Sequence, residues 1–530
     1  MPEITSKNFS ENYSQIIDDL QRATFISLDC EFSGLVVNDY SFFDSPADRY
    51  NRIRKNVEHY NVIQLGLSAF RYYAENKEFN CTSYTFYLVP PVLYRPTSNI
   101  MCNIDSLKFL CKHKFDFNKL LYYGISYLNQ KDEENVIKMI DEGSNFVDGY
   151  NEYYSKISEW QRGAKVGSEL ILPIDEEHEN YMTDILHLEI RKNFLDLWTY
   201  QDKSNVIKIR KITMSEKEKL KTNNNEEITI KKNVFDSILG FSKVMKKLEK
   251  LKKPIVGHNI FMDLIMIYKQ FFGPLPKSYK KFKENINKVF PVVYDTKYCC
   301  NLLKTYVGKK DVWDKNCLSS LYEFFKHGRG TKMVMFMPCV VNHEDYTNME
   351  FHEAGLDSYC TGFCFIKMAY MFSLWDENQK TFNNTSVPLS SSWLFQGTKK
   401  MKNHINFSRG KTSCIILDSS DPPDIPLVLL IVRAKNNIHL NVTGILNEIT
   451  KYTAVDFKSL NNYKGLLAVR NKNKVRYILQ QFKDRQEFTV DVYNFWIHSY
   501  FGKIIVAVAV LTTSTVVTVA FQKVIRTIKS

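Results

Sequence analysis

The chain has 530 residues, of which 44% are hydrophobic and 24% are charged. This length predicts about three or four folding units, and the composition excludes a largely disordered chain and a protein with many membrane spans. The formal net charge of +13 is compatible with a phosphate-rich partner or an anionic membrane.

The cysteines indicate a reducing compartment. The chain has 11 of them, an odd number, and no Cys-x-x-Cys pair occurs. A zinc site and a disulfide framework therefore both lack the expected spacing, and we expect buried free thiols. The first residues contain no basic stretch followed by an apolar core, so we do not expect a signal peptide.

The first part of the chain alternates between predicted strands and helices. Residues 24–32 (TFISLDCEF) predict a central strand, and residues 62–73 and 83–89 predict two further strands of the same sheet. Across residues 106–141 the apolar spacing becomes helical. Residues 151–234 are more polar and predict an inserted module.

The second part of the chain returns to helices and strands. Residues 235–272 predict a helix, a strand and a helix, and residues 291–303 add a strand and a helix. Residues 352–372 predict a long apolar helix, and residues 383–392 a linker. A small α/β unit is expected over residues 425–482.

The last apolar segment differs from the rest. Residues 504–521 read IIVAVAVLTTSTVVTVAF and contain neither a charge nor a proline. A helix of this length is about 27 Å long, just enough for a hydrocarbon core. The alternative is a buried pair of strands, because Val and Thr dominate. Since only nine residues follow, too few to cover such strands, we predict a single-pass C-terminal anchor.

Two carboxylates stand close together on the first predicted strand. Asp29 and Glu31 are two residues apart, so both side chains point to one face of the sheet. Such a pair suits Mg²⁺, which offsets the repulsion between the carboxylates. Alone, the pattern also fits a solvated strand end.

Two further acids and a histidine stand near predicted helix starts. Asp263 follows an apolar strand and a Gly-His-Asn turn, and His352 and Asp357 are five residues apart in HEAGLD. This spacing places His352 near Asp357 but in a different side-chain row, which favours a base beside a metal over a ligand. Alone, such a histidine is more often a hydrogen-bonded surface or core residue.

These motifs together resemble a known family. FISLDCEFSGL, GHNIFMD and HEAGLDSYCTGFCF resemble, in this order, the three exonuclease motifs of the poly(A)-specific ribonuclease (PARN) family of DEDD 3′-exonucleases. FDFNKLLYYGISYLNQ, FFGPLP and VFPVVYDTK also fall in family order, so the resemblance spans residues 20–375. It implies an α/β fold in which helices flank an RNase H-like mixed sheet.

The resemblance implies a two-metal nuclease. Asp29, Glu31, Asp263 and Asp357 would hold two Mg²⁺ ions about 3.5–4 Å apart, and His352 would be the general base. A hydroxide would attack the terminal phosphodiester and release a nucleoside 5′-monophosphate.

The resemblance also implies substrate contacts. Phe32 and Leu35 would pack against the terminal nucleotide. Lys297 in YDTK is a candidate phosphate contact, although a lone lysine more often lies on a solvated face.

The implied domain organisation is a split nuclease with additions. Residues 1–150 and 235–395 would form the exonuclease domain. Residues 151–234 stand where the family has a single-strand-binding insertion, without a clear copy of its Arg-x-x-x-His signature. Residues 410–485 would be a degenerate RNA-recognition-motif-like domain that lacks stacking aromatics in KGLLAVRN. Residues 504–521 complete the chain as the anchor.

The anchor and the weak RNA-recognition region favour one branch of the family. We expect an Mg²⁺-dependent 3′-to-5′ exoribonuclease that trims the 3′ ends of piRNA precursors bound to PIWI proteins. A soluble poly(A)-specific deadenylase is the alternative. A catalytically inactive, membrane-tethered RNA-binding protein is a third hypothesis, against which the complete set of acids argues.

The partners and the location follow from the same resemblance. It implies single-stranded RNA with a free 3′-hydroxyl, a PIWI-class Argonaute that carries it, and a Tudor/KH adaptor on the mitochondrial surface, and it leaves a homodimer open. The short, weakly apolar anchor with its basic tail favours the mitochondrial outer membrane, with the catalytic domain in the cytosol. The endoplasmic reticulum is the alternative, because its bilayer is also thin.

Overall fold

Strands and helices alternate along most of the chain, whose structure is a computed structural model. It describes residues 1–505 apart from 36–39, 92–98, 143–150, 175–179, 202–205, 223–224, 308–312, 314–315, 335–337, 343–350, 377, 380, 383–390, 437, 452 and 500–503. Contacts divide the chain into a first unit of residues 1–37, 50–406 and 414–421 and a second unit of residues 38–49, 407–413 and 422–530.

A mixed sheet lies at the centre of the first unit. The strands of this unit are β1 (Glu3–Ile4), β2 (Phe25–Phe32), β3 (Val62–Tyr73), β4 (Glu78–Tyr87), β5 (Glu169–Pro173), β6 (Leu197–Gln201), β7 (Val206–Lys211), β8 (Ile255–Gly257), β9 (Val293–Asp295), β10 (Cys339–Asn342), β11 (Trp375–Asp376), β12 (Thr381–Phe382), β13 (His404–Asn406) and β14 (Cys414–Ile416). The sheet has the order β1-β4-β3-β2-β8-β9, and β10 also pairs with β4. β2, β3 and β4 are antiparallel, whereas β2, β8 and β9 are parallel. The predicted α/β class with a mixed sheet is therefore confirmed.

Helices connect and cover these strands. Up to residue 421 they are α1 (Phe9–Arg22), α2 (Pro46–Asn56), α3 (Ile104–Lys112), α4 (Phe117–Tyr123), α5 (Gln130–Glu142), α6 (Asn151–Gly163), α7 (Asn180–Asn193), α8 (Met214–Thr222), α9 (Asn225–Leu239), α10 (Ser242–Leu251), α11 (Phe261–Ile267), α12 (Tyr279–Val289), α13 (Thr296–Val307), α14 (Leu318–Lys326), α15 (Ala354–Leu374) and α16 (Ser391–Gly397). A π-helical turn, Tyr268–Phe272, continues α11, and short 3₁₀ turns occupy Arg329–Lys332 and Lys399–Met401.

The long helix α15 is buried on nearly all sides, as its continuous apolar sequence predicts. Its Phe365 ring packs edge-on against Phe25 of β2, with ring centroids 5.3 Å apart. The start of α15 comes so close to β3 that a Cβ on Gly66 would lie 1.9 Å from the Ala354 oxygen. Only glycine therefore fits at position 66, which pairs with Asp29 in the sheet.

The insertion contributes to a second buried core, which also contains residues of α5 and the end of α9. Strands β5, β7 and β6 form an antiparallel sheet in that order. Buried aliphatic side chains, among them Ile157, Ile185, Ile190, Ile207 and Ile230, pack together beneath it.

The second unit contains a four-stranded antiparallel sheet. Its elements are β15 (Val428–Ala434), α17 (Val442–Ile449), β16 (Val455–Asn461), β17 (Lys464–Val469), α18 (Lys472–Gln481), β18 (Phe488–Val492) and α19 (Phe495–His498). The βαββαβ order with the sheet sequence β16-β17-β15-β18 is the split βαβ arrangement. The predicted domain boundaries stay predictions.

The described residues include only the first two residues of the predicted anchor. In the part of the chain that the structure describes, no helix has the length and apolar character needed to span a bilayer. Residues 506–521 of the anchor lie outside the described residues, so the anchor stays a prediction. No disulfide bond joins any of the 11 cysteines, and seven of them are buried.

Candidate active site

Strand β2 carries two of the predicted acids near its C-terminal end. The strand is buried except at Asp29 and Glu31, which are partly exposed. Their spacing places both carboxylates on the face that also carries Ser27. The Ser27 hydroxyl donates a 2.6 Å hydrogen bond to the backbone oxygen of Ser358 in α15. Both carboxylates therefore point to the side of the sheet on which α15 lies.

The first turn of α15 places Asp357 beside this strand, where the helix dipole favours a negative charge. The Asp357 Oδ2 atom accepts the backbone N–H of His352 at 3.1 Å. The Ala354 N–H donates to Gln64 Oε1 at 3.0 Å. Because Gln64 pairs with Glu31 in the sheet, this bond ties the start of α15 to the end of β2.

His352 lies just before α15 in an unusual backbone conformation. Its φ is +77°, in the left-handed region that few non-glycine residues adopt. Its side chain is exposed, and one ligand atom each of His352, Glu31 and Asp357 lies within 4.8 Å of the others. The imidazole therefore lies beside the carboxylates of Glu31 and Asp357. Its predicted role as the general base stays a prediction.

Asp263 approaches β2 from the neighbouring parallel strand β8. It is in the first turn of α11, directly after β8, and only 9% of it is exposed. Its carboxylate accepts hydrogen bonds from the backbone N–H and the thiol of Cys30, the residue between Asp29 and Glu31. The structure thus brings all four predicted acids together around the end of β2.

Burial and mutual repulsion oppose the ionisation of these acids. Burial, and then the charges of the other three acids, raises the pKa of Asp29 well above its usual range. Burial and two of the neighbouring charges do the same to the pKa of Glu31. Burial is also the main cause that raises the pKa of Asp263 and of Asp357 to about 7. A cation among the carboxylates would relieve this cost.

The residues present fit a divalent metal ion. Carboxylate oxygens are the ligands that hard divalent cations prefer, and imidazole is a ligand for several other metals. In addition, the Asp357 Oδ1 atom is buried and accepts no hydrogen bond from any described residue. A buried carboxylate oxygen without a donor is costly, and coordination of a metal would satisfy it.

The three predicted substrate contacts lie in different surroundings. Phe32 is 8% exposed, whereas Leu35 is partly exposed and its N–H donates to Ser106 Oγ at 3.2 Å. The ammonium of Lys297 donates to the backbone oxygen of Asn316. The predicted role of each in binding RNA stays a prediction.

Three residues near this site were not identified from the sequence. Asp295 is fully buried at the end of β9, and its charge helps to raise the pKa of Asp263. Phe109 and His113 lie at the end of α3, and their ring centroids are 4.8 Å and 4.2 Å from that of His352. Asp295 follows an apolar strand, as Asp263 does, which was a usable signal. The four-residue spacing of Phe109 and His113 is too common to be one.

Comparisons with known proteins identify the family of this chain. Residues 4–365 match the family model that is described as CAF1 family ribonuclease. The pre-piRNA 3′-exonuclease trimmer of Bombyx mori is 31% identical over 517 residues, which cover 94% of this chain and 95% of that protein. The human poly(A)-specific ribonuclease PNLDC1 is 28% identical, with 90% and 93% covered. The Danio rerio poly(A)-specific ribonuclease PARN is 28% identical, with 69% and 59% covered.

Solved structures are also similar to this chain. The Mg²⁺- and Mn²⁺-bound form of S. pombe Pop2p is 15% identical, with a TM-score of 0.35, and the alignment covers 73% of this chain and 98% of that chain. The family match spans well over half of the sequence and includes all four acids and His352. The chain belongs to the CAF1 family of ribonucleases, and it is a divalent-metal-dependent 3′-to-5′ exoribonuclease.

Proposed function

We propose that this exoribonuclease trims the 3′ ends of piRNA precursors that a PIWI-class Argonaute holds. The observation that carries the proposal is the near full-length similarity to the Bombyx mori trimmer. The similarity to poly(A)-specific ribonuclease PARN covers a much smaller share of both chains. The part of the chain beyond the nuclease core is therefore better accounted for by the trimmer than by the deadenylase.

The acids and His352 supply the groups that this reaction needs. Asp29, Glu31, Asp263 and Asp357 would hold two Mg²⁺ ions. When bound, the ions would make a water more acidic and offset the charge that develops on the phosphodiester. Burial, followed by the charges of His113 and Lys112, lowers the pKa of His352. A lowered pKa favours the neutral imidazole, the form that can accept a proton.

A trimming assay tests the proposal. The full chain, with Mg²⁺, is given a 5′-labelled RNA of mixed sequence, either free or loaded on a PIWI protein. We expect stepwise shortening from the 3′ end with release of nucleoside 5′-monophosphates, and a stop at a 2′-O-methylated 3′ end. The matched control is Asp29→Asn, which should leave the RNA intact.

The other outcomes of this assay are decisive as well. Shortening restricted to oligoadenylate would favour the deadenylase. RNA binding without shortening by the unaltered chain would favour an inactive RNA-binding protein.

The location is part of the proposal. Residues 504–521 support a tail anchor in the mitochondrial outer membrane, with the nuclease in the cytosol. Extraction of a membrane fraction with alkaline carbonate tests the anchor, because an integral span resists the treatment. Release of the chain into the soluble fraction would contradict it.

A further inference from the structure

A second cavity lies at the far end of helix α15, within the first unit. It has a volume of about 340 Å³ and is formed where α13, α15 and α16 end. Asp357 lies in the first turn of α15 and Ser373, which lines the cavity, lies in the last turn, so about 24 Å of helix separates them. We call it the distal cavity, because it is separate from the candidate active site.

Three aromatic side chains line the distal cavity and contact one another. The rings of Tyr306 and Trp375 stack with their centroids 4.9 Å apart, and Phe372 meets the Tyr306 ring edge-on at 5.8 Å. Trp375 also pairs with Phe382 in the β11–β12 ladder, where their ring centroids are 5.2 Å apart. The rings are therefore fixed against one another before a ligand binds, which lowers the entropic cost of binding.

Packing in the protein core does not account for all three rings. Phe372 is only 7% exposed and belongs to the core beneath the cavity. Tyr306 and Trp375 are instead partly exposed, although both are large aromatic residues. A concave site with an aromatic lining and a few polar groups is typical of ligand binding.

Two lysines also line the distal cavity. Lys399 and Lys400 are exposed and lie in the short 3₁₀ turn that follows α16. The helix ends at Gly397, where an added Cβ would lie 2.7 Å from the Cβ of Ser373. Glycine at this position therefore lets the turn with the two lysines come close to the end of α15.

The charge of this lining is positive. Among the described residues that line the cavity, none is acidic. Asp376, which directly follows Trp375, accepts the N–H groups of Asn378 at 2.8 Å and Gln379 at 3.1 Å within its own turn. An anion that enters the cavity therefore meets two ammonium groups beside the aromatic rings.

Aromatic rings beside ammonium groups match the base and the phosphate of a nucleotide. A partner peptide rich in acidic and aromatic residues would offer a similar chemistry. Single-stranded RNA is favoured, because the chain is an exoribonuclease whose substrate enters the active site by its 3′ end and continues away from it over the protein surface. The net charge of +13 suits the same ligand.

We propose that the distal cavity binds single-stranded RNA upstream of the cleaved end, with one base against Tyr306 and Trp375 and the neighbouring phosphates at Lys399 and Lys400. The proposal rests on the proposed function and deepens it, because it names a second place at which the substrate is held. Stacking uses the flat face that every base has, so the cavity accepts RNA of any sequence.

The distance between the two sites makes the contact depend on RNA length. Only an RNA long enough to reach from the acids to the distal cavity makes both contacts. A contact remote from the reacting phosphate holds the substrate and the transition state equally, so it lowers KM and changes kcat less. Once shortening leaves an RNA that no longer spans this distance, the RNA binds more weakly and is released more readily.

A binding series tests this length dependence. The full chain with Asp29→Asn, which should bind RNA without cutting it, is titrated in Mg²⁺ with RNAs that share one 3′ sequence and increase in length, and fluorescence anisotropy gives Kd. We expect Kd to fall in a step once the RNA reaches the cavity. Trp375→Ala should raise Kd on the order of tenfold beyond the step and much less before it. Trp375→Phe, which keeps a ring, should restore most of the affinity.

The matched control makes the same substitution elsewhere. Trp496 of the second unit is 52% exposed and lies outside the cavity, so Trp496→Ala should leave the step unchanged. Thermal unfolding of each variant checks that it is folded. A Kd without a step, or an equal loss for short and long RNAs in Trp375→Ala, would overturn the inference.

The salt dependence of binding tests the phosphate contacts with substitutions on the surface. Each phosphate contact to a single strand contributes about 0.7 to the slope of log affinity against log salt, so Lys399→Gln with Lys400→Gln should reduce the slope by about 1.4 for long RNAs. The control is Lys280→Gln with Lys281→Gln, which changes two exposed lysines of α12. Equal slopes in the two double variants would contradict the proposed contacts.

Failure of this inference can be told apart from failure of the proposed function. If the active chain does not shorten RNA loaded on a PIWI protein, the proposed function fails, while the length series with the Asp29→Asn chain still reports the distal cavity. If the chain shortens such RNA but Trp375→Ala behaves like Trp496→Ala, only the cavity fails. If Trp375→Ala weakens the binding of loaded RNA but not of free RNA, the cavity binds the protein partner and the RNA site is wrong.

Discussion

Asp295 and the four acids around the end of β2, all in the first unit, have different surroundings. Asp295, at the end of β9, accepts backbone N–H groups from Asn259, Lys297, Tyr298 and Asn406 at 2.8–3.4 Å. Asp29 instead meets the charges of Glu31, Asp263 and Asp357, and the Asp357 Oδ1 atom accepts no hydrogen bond from the described residues. Burial raises the pKa of Asp295, and its four backbone N–H donors counteract that rise, whereas the repulsion among the other acids is relieved by a cation.

Position in the fold does not distinguish the two sets. Asp263 follows β8 and Asp295 ends β9, and these are neighbouring parallel strands with acids at the same edge of the sheet. What differs is the set of donors that each carboxylate meets. Four backbone N–H groups surround the Asp295 carboxylate, whereas Asp29 and Glu31 meet the charges of other carboxylates, an arrangement that suits a metal.

The largest effect is expected when the metal-facing acids are neutralised. Asp357→Asn should lower the rate of RNA shortening on the order of a thousandfold or more, because residues that act as one catalytic unit lose most of their effect together. Thermal unfolding in the absence of metal should occur at the same temperature or higher, since the substitution removes a repelling charge. Labelled RNA on a sequencing gel and calorimetry measure the two quantities. An active variant, or one that unfolds at a much lower temperature, would contradict the assignment.

The second-largest effect is expected at Asp295. Asp295→Ala would leave four backbone N–H groups without an acceptor and should lower the free energy of unfolding by about 3 kcal/mol. Denaturant unfolding measures this change. The control is Asp18→Ala, which removes a partly exposed i,i+4 ion pair with Arg22 and should change stability by less than about 0.5 kcal/mol. Equal effects of the two substitutions would remove the distinction between the carboxylates.

The sequence predicts local structure and the list of acids well. The predicted strand 62–73 is β3 without a shift, and the predicted apolar helix 352–372 is α15 displaced by two residues. Both rest on apolar patterns that a single segment contains. The motif order of the resemblance, together with the acids themselves, identified the four residues that the structure brings together.

The surroundings of those acids could not be read from the sequence, because they depend on contacts between distant segments. Asp295 accepts the N–H of Asn406, which is 111 residues away, and Ser27 donates to Ser358, which is 331 residues away. The contact between Phe109 and His352 also joins two segments that are distant in the sequence. A pattern within one segment carries no information about such pairs.

The smallest of these effects concerns pH, and it is expected in the chain stripped of divalent metal. Burial raises the pKa of Asp263 and of Asp357 to about 7, whereas an aspartate in the unfolded chain titrates near 3.8. Between these values the folded chain binds more protons than the unfolded chain, so stability falls as the pH rises. Each of the two groups contributes a slope of at most about 1.4 kcal/mol per pH unit.

The contribution of this pair can be isolated by comparison with a double variant. The pKa of His187 in the insertion is lowered to about 4 by burial, which gives an opposite slope in the same range of pH. The informative quantity is therefore the difference in free energy of unfolding between the unaltered chain and the chain with Asp263→Asn and Asp357→Asn. From pH 5 to pH 7 the unaltered chain should lose stability relative to this variant, and saturating Mg²⁺ should reduce that loss, because the ion replaces the protons. A difference that stays constant with pH would mean that the two carboxylates titrate normally and do not need a cation to offset their burial.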